Sequence, residues 1–209
     1  MPVIEVFADA WCPFAHAGLR ALLARRRELG RDDLSLWIRA WPLELVNAEP
    51  LDAHHVAQEV AALRTQVAGD LFAGFDEHAF PGTSLPALAL AASAYRRDTR
   101  TGEQLSFSLR DALFEQGRDI SDPDILSAIA DTYDLDPPSP SDHDAIRTDW
   151  HDGRVRGVKG SPHFFCGPIS AFCPSLDISK DDRDDLRVYA NPAALNNFMA
   201  QCLASPTLP

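Results

Sequence analysis

Residues 3–41 read as strand, helix and strand joined by short connections, and that order constrains everything after it. "VIEVFA" (3–8) is a nearly continuous apolar run stopped by Asp9, as in a strand buried on both faces. Leu19, Leu22, Leu23 and Leu29 then fall on one face of a helix, with Arg20, Arg25, Arg26 and Arg27 mostly on the other. Gly30 supplies a C-terminal stop. "LSLWIRAW" (34–41) alternates Leu34, Leu36 and Ile38 against Ser35, Trp37 and Arg39, a second strand. The result is a βαβ unit, whose crossover is expected to be right-handed.

From about residue 51 the hydrophobic period changes to that of helices. "LDAHHVAQEVAALRTQVAG", "SLPALALAASAYRRD", "GEQLSFSLRDALFEQG" and "SDPDILSAIADTYD" follow one another, with no strand pattern between them. Ser84 and either Ser121 or Asp122 are candidate caps, and Pro123 suits a first turn. "LDPPSPS" (135–141) is a turn-rich break, followed by a helix over about 142–155. "SPHFFC" (161–166) and "DLRVYA" (185–190) read as short strands. "NPAALNNFMAQCLA" reads as a closing helix capped by Asn191, with Pro192 at its first position. The order predicts three segments: βαβ over 1–50, an inserted all-helical domain over 51–140, and αββα over 141–209. Without the insertion this is the arrangement of a thioredoxin fold, an α/β class.

At 45% hydrophobic residues the 209-residue chain can bury a sizeable core. Lys and Arg number 19 against 31 Asp and Glu, a formal charge of −12, which repels phosphate backbones and anionic surfaces. Nucleic acid and membrane partners are therefore not expected. No apolar stretch reaches the roughly 18 residues of a spanning helix, and the N-terminus lacks the pattern of a secretory leader. A cytoplasmic location follows as the expectation. There, the four cysteines (Cys12, Cys166, Cys173, Cys202) are expected as reactive or buried thiols rather than as a disulfide framework.

The chemistry concentrates in "ADAWCPFAH" (8–16), where a strand ends and a helix begins. Free backbone N–H groups and the positive end of the dipole at a helix start favour a thiolate, so Cys12 is expected to be acidic. Pro13 fits the first turn, where its missing N–H costs no hydrogen bond. His16 lies one turn further on the same face and could tune the thiol. Trp11, Phe14 and Phe164 could rim the site or belong to the core. In "GVKGSPHFF" (157–165), Ser161-Pro162 before a strand is a candidate cis-proline bend. His163, Cys166 and Cys173 lack a fourth partner for zinc, and no metal site is expected.

Taken together, "DAWCPFAH", the helical insertion and "GVKGSPHFF" resemble the DsbA-like branch of the thioredoxin superfamily. The likeness is greatest to the FrnE-type cytosolic dithiol-disulfide oxidoreductases. The resemblance implies Cys12 as nucleophile, Ser161 as the residue whose backbone pairs with an extended substrate, and Pro162 as the cis-proline. Trp11, Phe14 and His16 would then border the substrate. It also implies thiol or disulfide substrates, whether peptide, protein or glutathione, with glutathione as co-substrate rather than bound cofactor. The 166–173 spacing resembles a second cysteine pair found in some relatives, either a disulfide or two reduced thiols.

Ala15 departs from the pattern, since the resolving cysteine of Cys-Pro-x-Cys is absent. A lone thiol forms a mixed disulfide and awaits another thiol. Cys166, about 13 Å along its strand from Pro162, is too far to serve. The expected activity is therefore monothiol exchange through Cys12, possible with glutathione. The alternatives are a glutathione-dependent transferase or isomerase of the kappa or chromene-carboxylate type, and a non-catalytic binding or chaperone-like domain. The oligomeric state stays open, a homodimer included.

Overall fold

The computed structural model describes residues 3–204. It begins with β1 (Val3–Ala8), α1 (Pro13–Glu28) and β2 (Ser35–Ala40). Five helices follow: α2 (Leu43–Asn47), α3 (Ala53–Gln66), α4 (Leu85–Arg97), α5 (Thr99–Phe114) and α6 (Pro123–Thr132), with a short 3-10 turn at Glu77–Ala79. Then come α7 (Pro140–Val155), β3 (His163–Cys166), β4 (Ile169–Phe172), β5 (Leu176–Lys180), β6 (Leu186–Ala190) and α8 (Pro192–Ala204).

The main sheet has the order β2-β1-β3-β4. β1 runs parallel to β2, with Val6 opposite Ile38, and antiparallel to β3, with Val6 opposite Phe164. One face carries Ile4, Val6, Leu36 and Phe164 into a cluster with Leu19 and Leu22 of α1 and Phe198 of α8. The other face holds Phe7, Trp41 and Phe165 near Trp150 of α7. Both faces are thus covered, which explains the nearly continuous apolar run of β1, interrupted by Glu5 alone.

Arg39 points into the second face and remains 8% exposed. Its charge is balanced by Glu5 and Asp149, at 3.1 and 2.8 Å, and by Asp152. Its guanidinium also lies 4.8 Å from the centre of the Phe7 ring.

The helical block is hydrogen-bonded to the sheet as well as packed on it. The Tyr95 hydroxyl of α4 accepts from Ile38 N–H (2.9 Å) and donates to the Leu36 carbonyl (3.1 Å), while Glu103 of α5 accepts from Leu36 N–H (2.9 Å). The outer edge of β2 is therefore closed by side chains. Tyr95 fits because position 102 carries no side chain: a Cβ there would lie 2.3 Å from the tyrosine ring. Gly102→Ala is expected to cost about 1–3 kcal/mol by overpacking, read as a lower urea midpoint at unchanged slope.

The helix starts follow their sequence signals. Asp52, Asp98 and Asp122 accept from His55, Thr101 and Asp124 N–H at 2.7, 2.8 and 2.8 Å. Ser84 precedes α4 but makes no capping bond, because its hydroxyl turns to Glu44 (3.2 Å).

The C-terminal strands need correction. The residue pattern predicts two after residue 155, and the described residues form four. Residues 185–190 do not complete the main sheet; β6 pairs with β5 in a separate two-stranded ribbon. The fourth place is filled by β4, which pairs with β3 through a tight turn at Gly167-Pro168, Gly167 having φ +59°. A four-residue strand that is alternately half-buried and exposed lacks the apolar run that marked the others.

Candidate active site

Cys12 ends the connection from β1 and forms the N-cap of α1, with extended φ/ψ of −83° and 116° and with Pro13 opening the helix. Its thiol donates to the Ser161 carbonyl at 3.3 Å. The Ser161 hydroxyl accepts from Asp9 N–H at 2.9 Å, which ties the exit of β1 to the segment before β3. The Ser161–Pro162 peptide is cis. The Pro162 carbonyl accepts from Cys173 N–H at 3.0 Å, one rung beyond the His163–Phe172 pair. Gly18 lets α1 approach this segment closely, because a Cβ there would lie 3.3 Å from the Pro162 ring.

Cys12, Ser161 and Pro162 are thus brought together. Trp11 is fully buried and stacks on Phe80, with ring centres 5.6 Å apart and planes at 10°. Phe14 is half-buried and packs against the core on both sides of α1. Phe164 is core.

Cys12 itself is 4% exposed, and burial pushes its thiol up to about 12. The Ser161 hydroxyl and the Ala15 amide work the other way, while Glu59 and Asp9 add to the rise. The acidic thiol expected from the helix start is therefore reversed in the resting site, where desolvation exceeds the stabilisation at the helix end. Burial also pushes Asp9 to about 6, although its carboxylate accepts from Leu43 N–H at 2.6 Å. It pushes Glu59 of α3 to about 7.

His16 is fully buried, and its Nε2 meets Glu115 at 2.7 Å instead of the thiol. Burial among Phe72 and Phe114 holds the ring below its ordinary pKa, so it is neutral at pH 7 and donates to Glu115. The His16 ring thus joins α1 to the helical block, with its Nε2 turned to Glu115.

The cysteines also pair differently in space from the sequence reading. Cys166 and Cys173 are both free and stand at opposite ends of the β3–β4 hairpin, about 13 Å apart along the strand. Cys166 instead neighbours Cys202 of α8. Glu59 and Glu115 carry no sequence signal as site residues, and Cys173 is expected only as a partner of Cys166, not beside Pro162. The Gly167-Pro168 turn was the available signal for Cys173, since a hairpin there returns the chain to Pro162. No local pattern marks Glu59 or Glu115. Among the described residues, no group of three His, Cys, Asp or Glu could hold a metal, and no helix is long and apolar enough to cross a membrane.

No protein-family model matches the chain, and no curated protein matches its sequence. Solved structures do match in three dimensions. A probable DsbA oxidoreductase from Streptomyces coelicolor aligns with a TM-score of 0.67 at 17% identity, over 100% of this chain and 93% of its own. The cytosolic disulfide reductase DsbM from Pseudomonas aeruginosa aligns at 0.61 and 17% identity, over 96% and 98%. DsbM has also been solved with glutathione. A 2-hydroxychromene-2-carboxylate isomerase aligns at 0.61 and 12% identity, over 81% and 88%. At these identities the likeness is one of fold.

Proposed function

With the DsbA-like thioredoxin fold as premise, we propose that the chain is a thiol-disulfide oxidoreductase. In this reading Cys12 is the nucleophile, and Ser161 with Pro162 forms the substrate-docking segment. The observation that carries it is the 3.3 Å hydrogen bond from the Cys12 thiol to the Ser161 carbonyl. An extended peptide, or the backbone of glutathione, docks by donating an N–H to that same carbonyl. Docking removes the acceptor that holds the neutral thiol. The start of α1 and the Ser161 hydroxyl then favour the thiolate, which attacks the substrate disulfide and forms a mixed disulfide.

Trp11 and Phe14 shape the apolar surround, and Pro13 fixes the helix start. Glutathione is the proposed co-substrate, in keeping with the glutathione complex of DsbM. Four free cysteines suit a reducing compartment, so a cytoplasmic setting is proposed. The proposed domain boundaries stay at residues 50 and 140.

Peptide mass spectrometry after exposure to glutathione disulfide and acid quench tests this reading. A Cys12-linked disulfide supports it, and the absence of one, whether to glutathione or to another thiol of the chain, overturns it. The resting thiol also has a signature. Alkylation of Cys12 by iodoacetamide is expected to rise with pH through 9 without a plateau near 7, because burial favours the protonated form. A plateau near neutrality contradicts this description of the resting site.

One observation favours a second reading. A buried, protonated thiol at a helix start is suited to donate a hydrogen bond to a bound glutathione thiolate. That role fits a glutathione-dependent isomerase or transferase, a class with the same fold.

A further inference from the structure

Ala15 leaves Cys12 with no second thiol in its own motif, but the hairpin brings one to the same segment. The Cys12 thiol rests on the Ser161 carbonyl at 3.3 Å, and Cys173 N–H rests on the adjoining Pro162 carbonyl at 3.0 Å. Residues opposed across an antiparallel ladder lie about 4.5–5.5 Å apart at Cα, so Cys173 is one strand spacing from Pro162. Both cysteines are 4% exposed.

Cys173 also has φ +43°, a left-handed conformation that side-chain-bearing residues seldom adopt and that tends to mark functional sites. Burial and then the charge of a Cys12 thiolate push its thiol up to about 12, so the two groups lie within each other's field. The other cysteines stand apart, with Cys166 at the far end of the hairpin beside Cys202.

We propose that Cys173 is the resolving thiol of the Cys12 mixed disulfide, in place of the cysteine missing at position 15. The inference rests on Cys12 being the nucleophile. In the step, the Cys173 sulfur attacks the Cys12 sulfur and its proton passes to the departing thiolate. The bond between Cys12 and the substrate sulfur breaks as the Cys12–Cys173 bond forms. No other oxidant is needed, because the two oxidising equivalents arrive with the substrate disulfide. Two glutathione molecules return both cysteines to thiols and leave as glutathione disulfide. Bond formation requires the Cα atoms to come within about 7 Å. Rotation of Cys173 out of its left-handed conformation supplies a local route to that approach.

The test is a time course with glutathione disulfide on the wild-type chain, Cys173→Ser, Cys173→Ala and Cys166→Ser, each acid-quenched and mapped without reduction. The wild type and Cys166→Ser are expected to pass through a Cys12–glutathione adduct to a Cys12–Cys173 disulfide. Both Cys173 variants are expected to stop at the adduct, which lasts at least tenfold longer and is released by added thiol. Two results overturn the proposal: a wild-type adduct as long-lived as that of the variants, or a disulfide from Cys12 to a cysteine other than Cys173. The wild-type map decides the matter even if a variant fails to fold. Loss of glutathione uptake at Cys12 in every protein is a different failure, that of the nucleophile assignment itself.

Discussion

Cys12→Ser is expected to lower disulfide exchange to background, a loss on the order of a thousandfold or more, because a serine hydroxyl is not ionised near neutral pH. The fold should persist. Serine nearly preserves the side-chain shape, and its hydroxyl can still donate to the Ser161 carbonyl now held at 3.3 Å. The measurement is reduction of a fluorescent glutathione mixed disulfide, alongside a urea transition that shows the variant folded. The same variant separates the two readings of the site. A donor to bound glutathione survives the exchange of thiol for hydroxyl, whereas a nucleophile does not. Full exchange activity in Cys12→Ser would remove Cys12 from the chemistry.

Glu115→Ala is expected to be the most damaging change to stability. The Glu115 carboxylate accepts from His16 Nε2 at 2.7 Å, Phe72 N–H at 2.9 Å and Ala73 N–H at 3.1 Å. Truncation leaves these donors without their acceptor beside a buried ring, at a cost of about 2–4 kcal/mol. Burial alone would raise the carboxyl, but the hydrogen bonds from His16, Phe72 and Ala73 outweigh it and hold it at about 2, below the ordinary 4.5. A depressed carboxyl stabilises the fold above its unfolded pKa and loses that contribution as pH falls through the folded one. Urea midpoints of wild type and variant should therefore differ most above pH 5 and converge between about 4.5 and 2. A constant gap across that range would mean that the ionised carboxylate is not what holds the loop.

Much of this architecture was legible from residue patterns, for identifiable reasons. β1 is apolar but for Glu5 because both of its faces are covered, and α3 to α6 carry helical periodicity with Asp caps at three starts. Cys12-Pro13 at the strand exit could be read because the N-cap position and first-turn proline have local signatures. β4 was missed because it is four residues long and sits at a sheet edge, where no apolar run is required. That omission hid the place of Cys173 beside Pro162 rather than beside Cys166, since the Gly167-Pro168 turn is what returns it there. The orientation of His16 was equally out of reach. Helical spacing puts it one turn from Cys12, but its partner Glu115 lies 99 residues away and no short-range pattern links them. The resting state of the thiol differs from expectation for a related reason: the helix end is a local feature, whereas burial depends on Ser161 and α3 arriving from elsewhere.

The pairing of Val6 with Phe164 has a consequence for how the chain is made. β1 leaves the ribosome early and its antiparallel neighbour only after all of α1 to α7. At about 5–20 residues per second, that separation corresponds to an interval on the order of ten seconds. During this time the nascent Cys12 has no Ser161 carbonyl to hold its proton. Until Ser161 arrives the thiol lacks that part of its enclosure, and it is more open to oxidation than it will be in the finished protein. Synthesis in a thiol-rich environment is therefore a condition for the cysteine to arrive at its site reduced.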